Sequence, residues 1–435
     1  MATDGRKIQN HLLITATFCG VFVLGAYAQD PPSRVAALNY ISGNVSMQPA
    51  GADDWAPAVV IVWTGPQPLL SESSAQVGVT QTAPSDELEK VLSKAIDQGR
   101  RIHVLPQYRP ENILHIGRLR IPASPSEQLI KAVAQQRSIK SPEEIEQIEA
   151  ALDISRQMHI TAMQMARPGV VEREIAGAME GIALSHGVRL AYPAIFSTHG
   201  ETMHNPHYDN VLKAGDIVVD DSGAESPLHY ASDITRTIPI GGEFSQRQRE
   251  IYSIVFAAQA KALGLAKPGV EWREVHRRTA VALMEGLKGL GLIRGDPQEA
   301  VAAGAHTMFF PCGVGHMMGL DVHDMEPLGE DYVGYTETIR RNPEFGWCYL
   351  RLAKAIEPGF VITVEPGIYF IPQLIDQWRA EGRCSRFINY DKVESYRDFH
   401  GVRIEDDIVV TADGCRVLGW PIPKTIEEVE TMASM

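Results

Sequence analysis

Runs of consecutive β-branched residues mark the centre of this chain. The stretch from Gly215 to Gly242 contains such a run at 217–219 and a second one at 234–240, a pattern typical of buried strands. Gly223 and Pro227 lie between the two runs. The pattern therefore predicts a hairpin of two strands joined by an enlarged turn.

Two carboxylates, Asp221 and Asp233, stand beside these apolar runs in strand-like surroundings. An isolated ionised carboxylate inside a sheet would neutralise by a shift of its pKa unless a cation or a network of donors holds its charge. Two carboxylates in one hairpin therefore indicate a cation site. The alternative is that one Asp caps a turn while the other pairs with Arg236.

Helical signals lie on both sides of the hairpin. Ser141 is an N-cap followed by proline, and Glu144 completes a capping box, so a helix is predicted to begin there. A second helix is predicted through 171–185, and a third begins at Ser245 with Gln248 as its capping partner. The main domain is therefore expected to start near residue 138.

Residues 59–137 alternate between strand and helix patterns. Strands are predicted at 59–63 and 102–105, with a helix at 86–98 between them. A piece of roughly 70 residues is small for an independent domain, so a truncated α/β domain is predicted.

Residues 29–58 have a different character. They contain short strand patterns around the turn Ser42–Asn44 and lack a helical period. This segment resembles the opening of a FecR-like β domain. The resemblance indicates a fusion or a faulty gene model ahead of the α/β part.

Two internal repeats indicate a duplicated architecture. Residues 167–175, RPGVVEREI, recur as KPGVEWREV at 267–275, an offset of 100. Residues 213–223, KAGDIVVDDSG, recur as EPGFVITVEPG at 357–367, an offset of 144. Each half therefore consists of helices followed by a strand led by glycine, and the chain is predicted to be a duplicated α/β unit.

The duplication indicates further candidate ligands for the same cation site. If the halves pair about a pseudo-twofold axis, Asp221 and Glu365 occupy equivalent positions. His316 and His323 lie in a glycine-flanked apolar run, and Glu405 is set between β-branched residues. A lone histidine in such a run is more often a satisfied core residue, but beside four carboxylates in strands a ligand is favoured.

Composition bounds the function. The 435 residues are 44% hydrophobic, which is ordinary for two or three globular domains. The net charge of −14 argues against a nucleic-acid partner, which would require a basic face. Of the 5 cysteines, Cys19 would leave with an N-terminal signal, and the remaining four, Cys312, Cys348, Cys384 and Cys415, are too few and too scattered for a disulfide framework.

Residues 1–28 have the pattern of a secretory signal peptide. Arg6 and Lys7 supply the positive charge, 12–25 the apolar stretch, and Ala26–Ala28 a cleavage site. The apolar stretch is short for a membrane span, so no stable membrane anchor is expected. Export to the periplasm or the medium follows if this signal is genuine, and a cytoplasmic location otherwise.

Five of these residues, each in its own motif, resemble the dinuclear metal site of the M24 peptidases. These are the pita-bread enzymes that include methionine aminopeptidase, aminopeptidase P and prolidase. The five residues are Asp221, Asp233, His316, Glu365 and Glu405. The motifs HYASDITRT, GHMMGLDVHD, TVEPGIYF and GVRIEDDIVVT closely match the proline-specific branch. The resemblance implies a catalytic domain over 138–435 with the duplicated pita-bread fold, and a weaker likeness over 59–137 to a creatinase-like N-terminal domain.

The resemblance also implies a mechanism. One histidine and four carboxylates suit two Mn²⁺ ions and could hold Co²⁺ or Zn²⁺. Asp233 and Glu405 would bridge the ions, with Asp221 completing one ion and His316 and Glu365 the other. A water between the ions would attack the carbonyl before proline, and Glu365 would carry the proton to the leaving nitrogen.

Substrate contacts follow from the same resemblance. His204 and His323 would stabilise the oxyanion or orient the substrate, and Arg403 would contact it. Cys312 stands where the family often has a substrate-contacting histidine. Arg351 stands where prolidases bind the dipeptide carboxylate, although it could equally be a surface arginine on a strand.

The expected function is that of an Xaa-Pro aminopeptidase acting on peptides with proline at the second position. An Xaa-Pro dipeptidase is the alternative. A metal-free hydrolase of the creatinase type and an inactive binding protein are further possibilities. A homo-oligomer, either a dimer or a tetramer, is expected because the family's N-terminal domain helps to build one.

Overall fold

The structure is a computed structural model that describes residues 46–47, 56–57, 68–76, 78–83, 87–119, 121 and 124–435. The chain divides into two compact units, Met1–Ser126 and Glu127–Met435. The predicted signal peptide at 1–28 and the predicted strand at 59–63 lie outside the described residues. Among the described residues, no helix is long and apolar enough to cross a membrane.

The described residues of the first unit include three α-helices, two of which contribute to a small core. They are α1 (Leu70–Gln76), α2 (Leu88–Asp97) and α3 (Pro110–Arg118). Two short strands, β1 (Ser46–Met47) and β2 (Ala56–Pro57), pair antiparallel. The helix predicted over 86–98 is confirmed as α2. The strand predicted over 102–105 is wrong, since that segment pairs with no described strand, although Val104 packs against Leu92 in the core.

The second unit has ten helices and eight strands among its residues. The helices are α4 (Glu127–Ser138), α5 (Pro142–Met165), α6 (Glu172–Ser185), α7 (Gln246–Leu265), α8 (Trp272–Gly289), α9 (Pro297–Ala302), α10 (Glu330–Val333), α11 (Pro372–Glu381), α12 (Tyr390–Glu394) and α13 (Ile426–Ala433). The strands are β3 (Ile195–Ser197), β4 (Ile217–Asp221), β5 (Thr235–Pro239), β6 (Val361–Val364), β7 (Gly367–Tyr369), β8 (Gly401–Arg403), β9 (Asp406–Val410) and β10 (Cys415–Val417).

Local sequence explains where the long helices begin. The capping boxes predicted at Ser141 and Ser245 are both present, and they start α5 and α7. The hairpin predicted between the two β-branched runs is also confirmed: β4 and β5 pair antiparallel, with Asp221 opposite Thr235. The two strands are buried along their whole length, as consecutive apolar residues predict.

The sheets place the candidate residues at the centre of the second unit. Strands β3, β4 and β5 form one antiparallel sheet, β6, β9 and β10 form another, and β7 pairs with β8. The hydroxyl group of Thr237 on β5 donates to the Arg403 carbonyl on β8, and the Arg403 amide donates to that hydroxyl. These bonds join strands of the two halves side by side.

Matching backbone bonds reveal the duplication. Val171 bridges Val211, and Glu271, 100 residues on, bridges Ala355, 144 residues on. The Gly169 amide donates to the Leu212 carbonyl in the first half, and the amide of residue 269 donates to the carbonyl of residue 356 in the second. Both offsets are those of the sequence repeats, so the two halves fold alike.

Candidate metal centre

All ten residues predicted to form the site line one cavity of about 890 Å³. Asp221 is the last residue of β4, and Asp233 comes two residues before β5. Glu365 follows β6 directly, and Glu405 directly precedes β9. The ten residues are His204, Asp221, Asp233, Cys312, His316, His323, Arg351, Glu365, Arg403 and Glu405.

The predicted metal ligands converge within this cavity. Asp233, His316 and Glu405 each offer a ligand atom, and these three atoms lie within 4.8 Å of one another. The Nε2 atom of His316 is 3.4 Å from Asp233 Oδ2 and 3.6 Å from Glu365 Oε1. Asp221 joins the group through Tyr192, whose hydroxyl donates to Asp221 Oδ1 at 2.7 Å and to Asp233 Oδ1 at 2.5 Å.

The backbone of the second half sets the orientation of His316. Its Nδ1 lies 3.0 Å from the Met317 carbonyl, and its amide donates to Thr363 Oγ1 at 3.1 Å. Donation from Nδ1 to a carbonyl fixes the ring so that Nε2 faces the carboxylates and can offer its electron pair to a metal ion when it is unprotonated. This arrangement is typical of histidines that bind a metal through one nitrogen.

One cation of the protein reaches the carboxylates directly. The Arg403 guanidinium donates to Asp221 Oδ2, to Thr235 Oγ1 and, at 2.8 Å, to the Tyr369 hydroxyl. These bonds engage the side chain that the sequence assigned to substrate contact. The alternative in which Arg236 pairs with one of the hairpin aspartates is wrong, because Arg236 pairs with Asp406 at 2.7 Å.

The electrostatics of the cluster favour a divalent cation. Burial, together with the neighbouring Asp233, raises the pKa of Asp221 even though Arg403 opposes the shift. Burial and the surrounding carboxylates raise the pKa of Glu365 to about 7 and that of Glu405 well above its usual range. Four carboxylates and one imidazole thus share a small buried space in which positive charge is scarce. Metal ions fit such an oxygen-rich donor set.

Asp406 is a buried carboxylate next to this centre, but its charge is paired with cations of the chain. Asp406 accepts from Arg236 at 2.7 Å and from Lys424 at 2.5 Å, and the Gln259 amide donates to it at 3.1 Å. Burial on its own raises the pKa of Asp406, but the two cations reverse the effect and the net pKa is lowered. Asp406 is therefore a structural ion-pair partner.

The substrate-side residues lie around the same cavity. His323 packs its ring edge-on against His316 at 4.5 Å, and its Nδ1 lies 3.1 Å from Glu326 Oε2. Burial, followed by the nearby His316, lowers the pKa of His323 to about 2, so its imidazole is neutral. Burial and then Glu365 raise the pKa of Cys312 to about 12, so its thiol is neutral too.

Arg351 lines the cavity and lies outside any strand. The strand in the alternative, a surface arginine on a strand, is therefore wrong, but a purely structural role stays a prediction. Its Nη1 contacts Glu330 closely and lies 3.1 Å from Glu326 Oε1. The guanidinium thus already holds carboxylate groups of the chain itself.

Sequence reasoning missed several residues of the site. Tyr192 lies in a loop without any pattern, and no sequence signal identifies it. Asp407 stands two residues after Glu405; its Oδ2 accepts the Asp233 amide at 3.0 Å, while its Oδ1 has no partner among the described residues. Its position in a buried strand was a usable signal, since an unpaired buried carboxylate is costly.

A duplicated α/β fold with a buried carboxylate and histidine centre defines a pita-bread hydrolase. Residues 146–412 match the model of metallopeptidase family M24, and the chain belongs to this family. The predicted fold is thereby confirmed, and the chain is a metallopeptidase.

Three similar proteins illustrate the likeness. A probable Xaa-Pro aminopeptidase of Uncinocarpus reesii is 33% identical over 386 residues, covering 85% of this chain and 76% of that protein. The human Xaa-Pro dipeptidase is 34% identical over 302 residues, covering 68% of this chain and 59% of that protein. Zinc-substituted E. coli aminopeptidase P in complex with product has a TM-score of 0.68 and 29% identity, covering 86% of this chain and 80% of the other.

Proposed function

We propose that this metallopeptidase hydrolyses the bond before proline at the N-terminus of peptides, as an Xaa-Pro aminopeptidase. The observation that carries the proposal is the convergence of two aspartates from the first half with His316, Glu365 and Glu405 from the second in one cavity. Relatives with this family's fold include proteins named Xaa-Pro aminopeptidase and Xaa-Pro dipeptidase.

Two divalent ions, in our proposal Mn²⁺, would be held by Asp221, Asp233, His316, Glu365 and Glu405. When bound, such ions polarise a carbonyl and lower the pKa of water, which supplies the nucleophile for amide hydrolysis.

The residues of the chain would divide the remaining work. The Glu365 side chain is 18% exposed, against 11% for Asp221 and 8% for Asp233, so it is the carboxylate best placed to pass a proton to the leaving nitrogen. His204 and His323 would orient the substrate or stabilise the oxyanion. Phe345 and Tyr349 offer apolar lining on which a prolyl ring could rest.

The test compares two tripeptides that differ only in the second residue, proline or alanine, with the Mn²⁺-loaded protein. We expect cleavage of the first bond in the proline peptide, no comparable cleavage in the alanine peptide, and loss of activity on exhaustive chelation. Equal rates on both peptides would refute proline specificity. Full activity after chelation would refute the metal mechanism.

The second candidate is an Xaa-Pro dipeptidase, favoured by the position of Arg351 in the cavity. A guanidinium can bind a dipeptide carboxylate with two hydrogen bonds. For a dipeptidase, Arg351→Ala would raise the KM for an Xaa-Pro dipeptide, whereas Arg340→Ala, an exposed arginine of the same segment, would not. A protein that cleaves the tripeptide and is insensitive to Arg351→Ala is an aminopeptidase.

Location and assembly remain proposals as well. We propose that residues 1–28 direct export and are removed before Gln29, and that the mature protein forms a dimer or tetramer. N-terminal sequencing of protein from the producing cell and sedimentation analysis would test the two statements separately.

A further inference from the structure

A second group of potential metal ligands lies outside the five predicted ones. We name His199, Glu201 and His400 the rim cluster. One ligand atom of each residue lies within 4.8 Å of the others, and Glu201 also lines the cavity. His199 Nδ1 is 3.1 Å from Glu201 Oε1, and His400 Nδ1 is 3.0 Å from Glu201 Oε2.

Two glycines bring the rim cluster together. Gly200 lies between His199 and Glu201, and Gly401 directly follows His400. A Cβ on Gly401 would be 2.7 Å from the Gly200 carbonyl oxygen, and one on Gly200 would be 3.2 Å from the Gly401 oxygen. The two backbones therefore touch in a way that only glycine permits, and this contact joins the first half of the unit to the second.

The backbone at His400 also fits a built site. Its φ of 71° lies in the left-handed region, which is uncommon for residues other than glycine. Its carbonyl accepts the Phe370 amide at 2.8 Å, which fixes that conformation. The His400 ring meets the His199 ring edge-on, with centroids 5.0 Å apart.

The donor geometry suits a tetrahedral cation. Zinc binds imidazole nitrogen and carboxylate oxygen at about 2.0–2.1 Å, so ligand atoms around one zinc ion lie about 3.3 Å apart. The two N···O distances in the rim cluster, each to a different oxygen of Glu201, are 3.1 Å and 3.0 Å and so are close to this spacing between ligand atoms. The His199 side chain is 48% exposed and that of His400 34%, so an ion can enter from solvent and keep water as a further ligand.

The rim cluster and the main centre have different donor chemistry. Two imidazoles and one carboxylate favour Zn²⁺, Cu²⁺ or Ni²⁺, whereas a centre of four carboxylates and one imidazole favours a harder ion. We propose that His199, Glu201 and His400 form a separate site that binds one divalent ion of intermediate softness, namely Zn²⁺. The bound ion would tie the turn that carries His204 to the strand that carries Arg403.

The experiment counts zinc and does not depend on peptidase activity. The Mn²⁺-loaded full chain is titrated with Zn²⁺, and total zinc uptake is compared between the wild type and a variant with both His199→Ala and His400→Ala. We expect the wild type to bind one equivalent more than the variant. His186→Ala, which removes an exposed histidine elsewhere on the unit, should match the wild type.

Two further readouts keep the result interpretable. Glu201→Gln preserves the size of the side chain but removes its charge and one accepting oxygen, and it should weaken the extra zinc site at least about tenfold, because even neighbours of a ligand contribute that much. Excess Zn²⁺ should raise the unfolding temperature more in the wild type than in the double variant. Equal zinc uptake by the wild type and the double variant would overturn the proposal and leave only a hydrogen-bonded contact between the three side chains.

Discussion

Glu405 and Asp406 are neighbours in the chain and are both buried, yet their environments are opposite. Asp406 is held by Arg236 and Lys424, and its pKa is lowered by them despite burial. Glu405 faces other carboxylates, and burial together with Asp233 raises its pKa well above the usual range. Asp406 thus has its countercharges within the chain, whereas Glu405 is surrounded mainly by like charges.

The difference separates structural from functional carboxylates. A buried carboxylate that has its own arginine and lysine needs nothing further and stabilises the fold as long as the pair stays intact. A buried carboxylate among like charges either takes up a proton or binds a cation. Substitutions on the two sides of this comparison should therefore have opposite consequences for activity and stability.

The largest expected effect is on hydrolysis by Glu405→Gln. Removing a ligand from the proposed dinuclear centre should lower kcat/KM for an Xaa-Pro peptide by at least about 10³-fold, because such ions contribute several kcal/mol to the transition state. Added Mn²⁺ should not restore the rate. Glu427→Gln, an exposed change on α13, is the control and should retain activity. A variant with near-normal kcat/KM would contradict the assignment of Glu405.

The next effect is on stability, through Asp406→Asn. This change leaves the buried Arg236 guanidinium and Lys424 without their carboxylate, and breaking a buried pair costs about 3–5 kcal/mol. Urea unfolding of the metal-free protein would measure the loss, with the exposed Asp413→Asn as its control. A loss of unfolding free energy below about 1 kcal/mol would mean that the ion pairs of Asp406 do not stabilise the fold.

Buried histidines without a countercharge or partner should make the stability of the fold depend on pH. Burial, reinforced by His306, lowers the pKa of His276 to about 3, and neither of its nitrogens has a hydrogen-bond partner among the described residues. The unfolded value is about 6.5, so between these two pH values the unfolded state binds more protons and acid destabilises the fold. The stability contribution is complete above about pH 6.5 and declines as the pH falls towards 3.

At pH 5 this loss amounts to about 2 kcal/mol for His276. His276→Phe should therefore reduce by about that amount the stability difference between pH 7 and pH 5, as measured by chemical unfolding at both pH values. His186→Phe, at an exposed position, should leave the difference unchanged. If the pH dependence of the His276 variant equals that of the wild type, this histidine does not titrate on unfolding as described.

The smallest effect is again expected from Glu405→Gln, now on the stability of the metal-free protein. Because burial and then Asp233 raise the pKa of Glu405, the neutral carboxyl is favoured in the metal-free protein, and glutamine copies the shape and charge of that form. Its carbonyl oxygen can still accept the Thr235 hydroxyl, which donates to Glu405 at 2.6 Å. The change in unfolding free energy should stay within about 1 kcal/mol, whereas Asp406→Asn next to it should exceed that. A large loss here would show that Glu405 is ionised without metal.

Much of the site was predictable because its residues break a local rule. Asp221, Asp233 and Glu405 are carboxylates at or next to the ends of buried apolar strands, and that conflict is visible in sequence alone. The duplication was visible because both halves keep the same Pro-Gly turn, which needs glycine at positive φ, as at Gly169 and Gly269.

The rest depends on packing between distant segments. Tyr192 binds two aspartates from a loop that has no periodic pattern, so only the folded chain reveals it. Glu201 and His400 lie about 200 residues apart, and their contact follows from the touching backbones at Gly200 and Gly401. The carboxylates around Arg351 come from a segment outside both sequence repeats, so the repeats offered no guide to it.

The split of the proposed ligands between the halves has a consequence during synthesis. Asp221 and Asp233 emerge from the ribosome long before His316, Glu365 and Glu405. A nascent or half-assembled chain therefore lacks the complete set of groups needed to cut a peptide. With these ligands, proteolytic competence would begin only when the strands of the second half have docked against those of the first.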